Sequence, residues 1–375
     1  MSLRIVMVGA CPYPVPQGSQ VLLRDTALAL YDRGHDMHLV VYGYGIGRDT
    51  SELKVHRSIC PPGLRNTAAG PSLIKPWLDL AMVYTLRRVV RRHKIDVVFA
   101  HNYEALLVAL AAGTRPIVYH AHNAMSDELP YYFIKQLQGI AGSFGRWLDR
   151  HFPRRADRIV APHQRLAGHL IVRGCDHRKT SIVPPPIEAE LFMTCVIEKE
   201  MPPVLYAGNL DMYQNLGLLF AAMRHVRKAE PEARLIIATA DQDTHLDDAE
   251  TMHTPNFDAL KKVLAKDCVF ALPRVSWSGY PIKLLNAMAA GNAIVACRSA
   301  AYPLTHEHNG LIVPDNDENA FAEALLQLMR NPRLRAELGR NARETIVTQH
   351  DPAHVAEQLE NIALQLVKPE QVESI

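Results

Sequence analysis

The sequence predicts an α/β protein that contains two doubly wound parallel sheets. Short apolar runs rich in β-branched residues alternate with longer amphipathic stretches, a pattern typical of parallel βαβ units with helices on both faces of the sheet. The alternation stops once, at three consecutive prolines in residues 184–186, and then restarts. The chain has 375 residues, 48% of them hydrophobic, so each half is long enough to bury its own core.

Six strands and three helices are predicted in the first half of the chain. The strands are expected at residues 3–8, 37–42, 96–100, 116–120, 158–161 and 179–183. The helices are expected at residues 19–33, 78–93 and 105–112. Ser19 is expected to cap the first helix and Gly34 to end it, because serine favours the N-cap position and glycine favours a helix stop.

The second half repeats this alternation after the three prolines, which cannot continue a helix or a central strand. Its strands are expected at residues 204–207, 234–238, 269–272, 293–297 and 310–313. Its helices are expected at residues 216–229, 257–266, 281–290, 319–330, 332–347 and 352–367, and the acidic stretch 241–254 is expected to be a loop. With residues 184–202 as the connection, we expect domains at 1–185 and 186–350 and a C-terminal helix in 351–375 that crosses back to the first domain.

The composition excludes several classes of protein. The proportions do not fit a disordered chain, a collagen or a coiled coil, and no apolar run reaches the roughly 20 residues of a membrane-spanning helix. The first eleven residues predict a first strand and not a signal peptide, because the apolar run is short and leads into a turn-rich segment. Six scattered cysteines without zinc spacing are typical of free thiols, so we expect a cytoplasmic location.

The charge is distributed unevenly between the two halves. Residues 1–185 contain 24 Lys and Arg against 13 Asp and Glu, and the remainder contains 17 against 26, so the halves carry +11 and −9. This asymmetry indicates either two domains with different partners or drift between two solvated surfaces, and the charge alone does not decide between them.

Two loops are candidate sites for an anion. The proline-rich loop 11–19 follows the first strand, and its Gly18 would let a ligand approach the N-terminus of the next helix closely. It has neither dinucleotide-binding nor P-loop spacing, and a rigid connector without a ligand is the alternative. The second loop precedes a helix at Pro281, where the amides of Gly279 and Tyr280 would point outward. Lys283 in the first turn would add a positive charge, the alternative being a solvated lysine.

Three segments carry a family resemblance. They read Leu-Leu-Asn-Ala-Met-Ala-Ala-Gly-Asn-Ala-Ile-Val-Ala at 284–296, Asn-Gly-Leu-Ile-Val-Pro at 309–314, and Val-Pro-Pro-Pro-Ile at 183–187 with Phe192. In this order they resemble glycosyltransferase family 4, over nearly the whole chain. The resemblance implies the GT-B fold, in which two Rossmann-like domains face a cleft, with the donor mainly on the C-terminal domain and the acceptor mainly on the N-terminal one. It also implies sugar transfer from a nucleoside diphosphate sugar, with retention of configuration and without a metal.

The chain departs from the family at two motifs. In the family's Glu-x7-Glu motif the first Glu approaches the donor sugar and the second holds the ribose, and here Ser278 and Asn286 stand at these positions. Asn286 can still hydrogen-bond a ribose hydroxyl, as a neutral amide. In the family's Gly-Arg-Leu-x-x-x-Lys motif the Arg and Lys neutralise the diphosphate, and here Asn209 and Gln214 replace them.

The missing charges require compensation if the chain is active. A departing nucleoside diphosphate carries roughly two to three negative charges, whose stabilisation is a large part of transition-state electrostatics. Arg274 and Arg298 are basic residues in or beside the same loops as Lys283. We therefore hypothesise that Lys283, with Arg274, replaces the missing pair. The residues expected to bind the donor are Gly18, Ser19, Asn209, Gln214, Arg274, Gly279, Tyr280, Pro281, Ile282, Lys283 and Asn286.

The strand at 116–120 leads to a candidate catalytic histidine. In the family a histidine at this strand end faces the donor sugar, and His122 matches it by spacing. His122 and Ser278, which stands at the first Glu position of the Glu-x7-Glu motif, are therefore the expected catalytic residues. A neutral imidazole there could bond a sugar hydroxyl, whereas His120 is expected to point to the opposite face if the strand continues. Asp127 and Glu128 on the next loop either orient the acceptor hydroxyl or serve only as a helix cap or solvated loop.

Basic residues near two tryptophans suggest a membrane surface as a partner. Five of them share one face of the helix predicted at 78–93 and its end, and others lie near Trp147: Arg87, Arg88, Arg91, Arg92, Lys94, Arg146, Arg150, Arg154 and Arg155. Trp77 precedes the first group. Anionic lipid attracts such charges at about 1 kcal/mol each, and an ordinary soluble surface is the alternative. Nucleic acid is not expected, because no recognised binding module is present.

The sequence therefore predicts a retaining, metal-independent GT-B glycosyltransferase that is cytoplasmic or peripheral on the inner leaflet of the membrane. Its expected substrates are a nucleoside diphosphate sugar, of UDP or GDP type, and a glycan or lipid-linked acceptor, with no cofactor. The alternatives are a catalytically silent sugar-nucleotide-binding protein and a sugar-nucleotide epimerase on the same fold. A glycosidase is not supported, because no pair of carboxylates lies at two strand ends.

Overall fold

The computed structural model describes residues 2–15, 18–46, 49–64, 70, 72–197, 201–241 and 246–367. Among the predicted features, residues 16–17 of the first loop and parts of 184–202, 241–254 and 351–375 lie outside the described residues. The chain forms two compact units. Unit 1 comprises Met1–Pro186 and the segment that begins at Pro352, and unit 2 comprises Ile187–Asp351.

Unit 1 contains a seven-stranded sheet in which every neighbouring pair is parallel. The strand order is β3-β2-β1-β4-β5-β6-β7. The strands are β1 (Arg4–Gly9), β2 (Asp36–Val41), β3 (Lys54–Arg57), β4 (Val97–His101), β5 (Ile117–His120), β6 (Arg158–Ala161) and β7 (Thr180–Ile182). Because all strands run the same way, the residues that follow each strand gather at one edge of the sheet, its carboxyl edge.

The helices of unit 1 lie between these strands in the chain, except for the last, which follows unit 2. They are α1 (Gly18–Asp32), α2 (Lys75–His93), α3 (Tyr103–Ala112), α4 (Met125–Glu128), α5 (Gln138–His151), α6 (Gln164–Val172) and α12 (Pro352–Val367). The last helix, α12, packs on α1, and its residues Val355, Leu359 and Ala363 join the core of unit 1 at helical spacing. An ion pair of 2.5 Å between Arg33 and Glu360 lies beside this contact.

Unit 2 contains a six-stranded parallel sheet in the order β10-β9-β8-β11-β12-β13. Its strands are β8 (Val204–Ala207), β9 (Leu235–Thr239), β10 (Glu250–His253), β11 (Val269–Leu272), β12 (Ala293–Cys297) and β13 (Leu311–Val313). Its helices are α7 (Leu216–Ala229), α8 (Phe257–Leu264), α9 (Ile282–Ala289), α10 (Glu318–Arg330) and α11 (Pro332–Gln349).

Both faces of the unit 2 sheet are buried. Leu205 of β8 belongs to one hydrophobic layer and its neighbour Tyr206 to the other, as alternation along a strand requires. On the first layer α9 packs Leu284, Leu285 and Met288, each 0% exposed. Burial of such side chains contributes about 1.5–3 kcal/mol each, so the packing of α9 fixes its first turn at the carboxyl edge.

The predicted fold class is confirmed: the chain is α/β with two parallel, doubly wound sheets. Some local predictions are wrong. Helix α1 already begins at Gly18, so Ser19 is not its N-cap. The stretch predicted as a loop contains the edge strand β10, whose residues are largely exposed and show no apolar alternation. Strand β3 and helices α4 to α6 were not predicted. No residue of β3 is fully buried, and several apolar residues of α5 are exposed, so the alternation of apolar and polar residues that marks a strand or helix is weak in both elements.

Candidate active site

Lys283, in the first turn of α9, reaches the loop that follows β8 in unit 2. Its Nζ donates hydrogen bonds to the Tyr206 hydroxyl at 2.7 Å and to Gln214 Oε1 at 3.0 Å. The same atom lies 4.5 Å from the centre of the Tyr206 ring, close enough for a cation–π contact. Lys283 is therefore held against the loop that follows β8, and it is not the freely solvated lysine of the alternative interpretation.

Gly208 makes this approach of Lys283 possible. Its φ is +137°, which L side chains rarely adopt, and a Cβ at this position would lie 2.5 Å from Lys283 Nζ. A larger residue would strain the backbone and displace the lysine. Glycine at the end of β8 therefore allows an amine to lie directly against the main chain.

The two residues that stand where the family carries Arg and Lys now hold Lys283 in place. Gln214 accepts its hydrogen bond, and Gln214 Nε2 in turn donates to Asn209 Oδ1 at 2.7 Å. The Tyr206 hydroxyl donates to the Asn209 carbonyl oxygen at 2.5 Å. Asn209 also donates to the carboxylate of Asp211 and to the Tyr213 hydroxyl. Neutral side chains thus form a network around one amine.

Arg274 is a second cation at the same edge, directly after β11. Its guanidinium donates to the Ser276 carbonyl at 3.0 Å and to Ser276 Oγ at 3.2 Å. It also lies over the Tyr213 ring, 5.2 Å from the ring centre. A Cβ on Gly279 would come within 2.8 Å of this guanidinium, so the glycine keeps the loop close to the charge. Arg274 itself is 9% exposed.

The electrostatics of this edge favour an anion. Burial of the Lys283 ammonium and the positive charge of Arg274 lower the pKa of Lys283 well below its ordinary value, and Asp211 only partly opposes this effect. A negatively charged ligand would reverse the sign of both effects, because it would pair with the ammonium and neutralise the repulsion from Arg274. Arg298, after β12, adds an exposed cation at the same carboxyl edge.

The other predicted donor residues of unit 2 lie around these cations with different exposure. Ser278 is 1% exposed and Asn286 9%, so both hydroxyl and amide are nearly shielded from solvent. Pro281 is the N-cap residue of α9 and Ile282 its first residue. The Tyr280 side chain packs into the core, with its hydroxyl 3.3 Å from His350 Nε2 and its ring edge-on to Tyr302. Only the backbone of Tyr280 is therefore available to a ligand.

The predicted residues Gly18 and Ser19 open helix α1 in unit 1, at the carboxyl end of β1. Both are exposed, whereas the next residue, Gln20, is 6% exposed. The first-turn amides of α1 carry the partial positive charge of a helix N-terminus. The structure thus places them at the edge where the sequence predicts them, and their contact with a ligand stays a prediction.

Three histidines form a buried chain at the carboxyl edge of unit 1. His101 ends β4, His120 ends β5, and His122 follows two residues later. His120 Nδ1 lies 3.3 Å from His101 Nε2, and His101 Nδ1 lies 3.2 Å from His122 Nε2. The expectation that His120 points away from His122 is wrong, since residues two apart along an extended chain share a face and both rings contact His101.

The hydrogen bonds between these histidines leave one ring nitrogen of His122 without a partner among the described residues. His122 Nδ1 and His120 Nε2 are buried without a hydrogen-bond partner among the described residues. A neutral imidazole donates a hydrogen bond from one ring nitrogen and accepts at the other. The hydrogen bonds along the three imidazoles therefore all point the same way, and their direction decides whether His122 Nδ1 donates or accepts. An unsatisfied buried polar group costs about 1–3 kcal/mol, so a ligand hydroxyl at His122 Nδ1 would be favoured.

All three imidazoles are neutral at physiological pH. Burial lowers the pKa of His122 to about 4. Burial and the neighbouring His122 lower the pKa of His120 to about 3. Burial, with His120 and His122, lowers the pKa of His101 well below its ordinary value. The site is therefore suited to hydrogen bonding with neutral hydroxyls and not to holding a phosphate by charge.

Asp127 and Glu128 lie in the short helix α4 after β5. The Glu128 carboxylate accepts hydrogen bonds from the Asn123 amide and, at 2.8 Å, from the Tyr132 hydroxyl, so it is already committed within unit 1. Asp127 is partly exposed. The structure places both at the carboxyl edge, and a role toward an acceptor stays a prediction.

Asp149 holds the start of α4 and was not identified from the sequence. Its carboxylate accepts from the amides of Met125 and Ser126 at 2.9 and 3.1 Å, and from His169 Nε2 at 3.1 Å. Burial acts to raise the pKa of Asp149, but the hydrogen bonds from His169 and Ser126 outweigh it and lower the pKa. This buried carboxylate thus fixes the segment that carries Asp127 and Glu128.

Asp79 of α2 is another group that sequence reasoning missed. It lies near the carboxyl end of β2, where its Oδ1 accepts a hydrogen bond from the Tyr42 hydroxyl at 2.6 Å. The pKa of Asp79 is raised to about 6, mainly by burial and also by the negative charge of Glu104. The hydrogen bond from Tyr42 and the positive charge of Lys75 act in the opposite direction and only partly offset this increase. Lys75 pairs directly with Glu104 at 2.8 Å. A carboxyl group that titrates near pH 6 therefore lies at this edge.

The surface of unit 1 carries two exposed apolar stripes at helical spacing. The stripe on and before α2 consists of Leu73, Trp77, Leu80 and Tyr84, which are 62–97% exposed. The stripe on and directly before α5 consists of Leu137, Ile140, Phe144 and Trp147, which are 42–69% exposed. Arg88, Arg91 and Arg92 of α2 are exposed, whereas the Arg87 guanidinium donates to the carbonyls of Ala111 and Ala112 at the end of α3. Of the helices described, none has the length and hydropathy needed to cross a bilayer.

Comparison with protein families matches both halves of the chain. A family model described as Glycosyltransferase Family 4 matches residues 16–191, and one described as Glycosyl transferases group 1 matches residues 202–331. Together they cover most of the sequence, including both carboxyl edges described above.

Individual relatives agree with these matches. A phosphatidyl-myo-inositol mannosyltransferase of Mycolicibacterium smegmatis is 24% identical over 363 residues, which is 89% of this chain and 86% of the relative. The amylovoran biosynthesis glycosyltransferase AmsK of Erwinia amylovora is 27% identical over 208 residues, 48% of this chain and 51% of the relative, so that match spans only about half of AmsK.

Solved structures share the fold at low sequence identity. Sucrose-phosphate synthase from Thermosynechococcus elongatus superposes with a TM-score of 0.81 at 15% identity, over 97% of this chain and 99% of that one. HepE from Anabaena, solved in complex with UDP-glucose, superposes with a TM-score of 0.71 at 16% identity, over 96% and 98%. These likenesses concern the fold of the chain.

Proposed function

Because this chain belongs to the family-4-like glycosyltransferases of the GT-B fold, we propose that it transfers a sugar from a nucleoside diphosphate sugar to an acceptor hydroxyl, with retention of configuration and without a metal in the donor site. The observation that carries the proposal is the pair of cations at the carboxyl edge of unit 2. Lys283 and Arg274 are held there by neutral partners, with Asp211 as the acidic group that opposes them.

The diphosphate of the donor lies against Lys283 and Arg274 in this proposal. A nucleoside diphosphate leaving group develops negative charge in the transition state, and fixed cations in a shielded site stabilise it. Binding of the diphosphate raises the pKa of Lys283 toward its ordinary value, which stabilises the ammonium form. The backbone amides of Gly279, Tyr280, Ile282 and Lys283 add donors at the start of α9, and Pro281, which has no N–H, fixes the chain direction there.

The remaining donor groups recognise neutral parts of the molecule. Asn286 bonds the ribose as an amide, and the hydroxyl of the buried Ser278 lies near the donor sugar in this proposal. Asn209 and Gln214 act on the donor indirectly, because they position Lys283. His122 bonds a hydroxyl of the donor sugar through Nδ1, and His101 orients His122 through the imidazole chain.

A separate general base is not required for the retaining reaction. In a front-face transfer the bond from the anomeric carbon to the phosphate oxygen breaks, and that oxygen accepts the proton of the attacking acceptor hydroxyl while the new glycosidic bond forms on the same face. The partly exposed carboxylate of Asp127 orients the acceptor, and Glu128 supports the segment through Asn123 and Tyr132.

The acceptor is proposed to be lipid-linked or an envelope glycan at an anionic membrane surface. Two exposed apolar stripes of unit 1, each with arginines on the same helix, have the chemistry of a surface that inserts shallowly into a bilayer. Large exposed apolar patches on a protein surface mark sites of interaction with other proteins or with membranes.

Donor turnover tests the proposal. The full chain is incubated with UDP- and GDP-sugars in the presence of EDTA, with and without a lipid extract, and release of nucleoside diphosphate is measured together with the anomeric configuration of the product by NMR. We expect release that increases with acceptor and a product of retained configuration. Binding without turnover would instead indicate a silent sugar-nucleotide-binding protein, and conversion of the sugar without an acceptor would indicate an epimerase.

Vesicle flotation tests the membrane part separately. We expect the wild type to float with anionic phosphatidylglycerol vesicles more than with neutral phosphatidylcholine vesicles, and the double variant Trp77→Ser and Tyr84→Ser to float less with the anionic vesicles than the wild type does. Val172→Ser is the control, because Val172 is 82% exposed and lies outside both stripes. Equal recovery of the wild type with both vesicle types would contradict binding to an anionic membrane surface.

A further inference from the structure

Three histidines outside the active site converge on one face of unit 1. His38 lies on β2, His56 on β3, and His93 is the last residue of α2. β2 and β3 pair in parallel with His38 opposite Lys54, so His38 and His56, two residues beyond Lys54, lie on the same face of the sheet. One ring nitrogen of each histidine lies within 4.8 Å of the others. The proposed sugar transfer uses none of them.

The spacing of the rings suits one ion. The ring centres lie 5.1, 4.5 and 5.2 Å apart for the pairs His38–His56, His38–His93 and His56–His93. His38 Nδ1 and His56 Nε2 are 2.8 Å apart and share a hydrogen bond. In a tetrahedral zinc site with Zn–N distances of about 2.0–2.1 Å, the ligand nitrogens lie about 3.3 Å apart. An increase of about 0.5 Å in the distance between His38 Nδ1 and His56 Nε2 would therefore allow both nitrogens to bind one ion.

A carboxylate stands behind the first of these ligands. His38 Nε2, the nitrogen that faces away from His56, lies 3.5 Å from Asp36 Oδ1. In metal sites a ligating histidine commonly donates its second N–H to a carboxylate, which orients the ring and makes the ligating nitrogen more basic. Asp36 is placed for this role.

We propose that His38, His56 and His93 bind a divalent transition metal of the zinc class, with Asp36 orienting His38. Imidazole nitrogen suits zinc and its neighbours in the series, whereas magnesium and calcium prefer oxygen ligands. A surface pocket of about 530 Å³ is lined by His56 and His93 together with Arg88 and Arg92, so an ion can reach the cluster from solvent. Water from this pocket would complete the coordination of the ion.

The charges around the cluster set the strength of binding. Arg92 and Lys54 lie near His56 and are positively charged. The same two cations repel a divalent ion, and Asp36, which also pairs with Lys54 at 2.6 Å, offsets only part of that repulsion. We therefore expect micromolar affinity and not the far tighter binding of a structural zinc finger.

The ion would join three elements of unit 1. It would tie the C-terminal end of α2 to the outer strands β2 and β3, and α2 is the helix that carries the exposed stripe with Trp77, Leu80 and Tyr84. A metal ion that binds the native state and not the unfolded chain raises the melting temperature. The expected consequence of binding is a more firmly anchored α2.

Zinc titration of the full chain tests the proposal. After treatment with EDTA and dialysis, the wild type should bind a single Zn²⁺ by calorimetry with a raised melting temperature, and Co²⁺ should give the visible absorption of a low-symmetry site. His93→Gln and His56→Gln should each weaken binding at least tenfold, as a change in affinity of about this size is expected even for outer-shell changes. Asp36→Asn should weaken binding by about 10- to 100-fold.

The controls separate this site from a misfolded or adventitious one. His177→Gln should bind Zn²⁺ as the wild type does, because the side chain of His177 is 75% exposed and lies outside the cluster. The metal-free melting temperatures of His93→Gln and His56→Gln show whether these variants fold. Absence of Zn²⁺ binding by the wild type, or unchanged binding by both folded variants, would overturn the proposal. Neither outcome bears on donor turnover, since the readout is metal binding alone.

Discussion

The carboxyl edges of the two sheets carry different chemistry. In unit 2 the edge holds Lys283 and Arg274, two cations fixed by tyrosine, glutamine and serine partners. In unit 1 the edge holds neutral imidazoles, with His122 at their end, and carboxyl groups such as Asp79. One topology, built twice, thus provides one edge suited to an anion and another suited to hydroxyl groups.

The difference shows that a chain without the family's charged motif still places basic side chains at this edge of unit 2. Asn209 and Gln214 stand where the family carries its Arg and Lys, yet Gln214 accepts a hydrogen bond from Lys283 and Asn209 binds Gln214. The positive charge comes instead from α9 and from the loop after β11. At the described edge of unit 1, in contrast, Lys75 is paired with the Glu104 carboxylate at 2.8 Å.

The largest expected effect comes from removing the cation of unit 2. Lys283→Met should lower kcat/KM for the donor by roughly 100- to 1,000-fold, because removal of one preorganised donor to a developing anion has an effect of that order. Steady-state kinetics checks it, and adding Arg274→Gln should lower the rate further.

A matched control accompanies this variant. Lys262→Met removes an exposed lysine of α8 in the same unit and should leave kcat/KM unchanged. The metal-free, donor-free melting temperature of Lys283→Met should equal or exceed that of the wild type, since burial penalises the native ammonium. A folded Lys283→Met enzyme with wild-type turnover would break the comparison between the edges.

The next effect concerns the stability of unit 1. The pKa of Asp79 is raised in the folded state to about 6 from 3.8, so the native state keeps this proton more tightly than the unfolded chain does. The wild type therefore loses stability as pH rises from about 4 to 6, by at most about 3 kcal/mol for a shift of this size. Asp79→Asn should be more stable than the wild type at pH 7.5, and the difference should vanish near pH 4.

Denaturant unfolding at the two pH values measures this difference. The asparagine can still accept the Tyr42 hydrogen bond, so the variant isolates the charge. Asp258→Asn, whose side chain is 79% exposed, is the control and should show no such pH dependence. A difference between Asp79→Asn and the wild type that is the same at both pH values would contradict the assignment.

A smaller effect should separate recognition of the sugar from recognition of the diphosphate. His122→Phe removes the ring nitrogen that we propose bonds the donor sugar, and the affinity for the sugar nucleotide should fall by up to about tenfold, the equivalent of one hydrogen bond. The affinity for the free nucleoside diphosphate should not change. Calorimetric titration of both ligands checks this, and an equal loss for both would indicate that His122 acts on the phosphates.

The smallest effect has the opposite sign. Asp211 is an exposed carboxylate near Lys283 that opposes the cations, so Asp211→Asn should tighten nucleoside diphosphate binding by about twofold. The gain should shrink at high salt, because exposed charges are screened. Weaker binding by Asp211→Asn at low salt would show that Asp211 supports the site through Asn209 and not through its charge.

Much of the fold was predictable because it depends on local periodicity. The apolar run of α9 and the β-branched strands next to it have clear helical and strand patterns, and Lys283 could be placed at a helix start from the same pattern. Strand β10 and helix α5 were missed since their stability comes from pairing and packing, while their exposed residues show no core-facing periodicity.

The missed site residues depend on contacts between distant parts of the chain. His101 meets His122 because β4 and β5 pair in parallel, and Asp79 meets Tyr42 because α2 packs beside β2. Neither contact follows from spacing in the sequence. The error at His120 had a different cause, since alternation itself places residues two apart on one face.

Calorimetric titration of UDP, GDP and ADP into the metal-free wild type and Lys283→Met tests the central claim most directly. We expect one nucleotide to bind the wild type in the presence of EDTA, and Lys283→Met to lose this affinity. Equal binding by the two proteins, or no binding by the wild type, would contradict the assignment of the anion site to the start of α9.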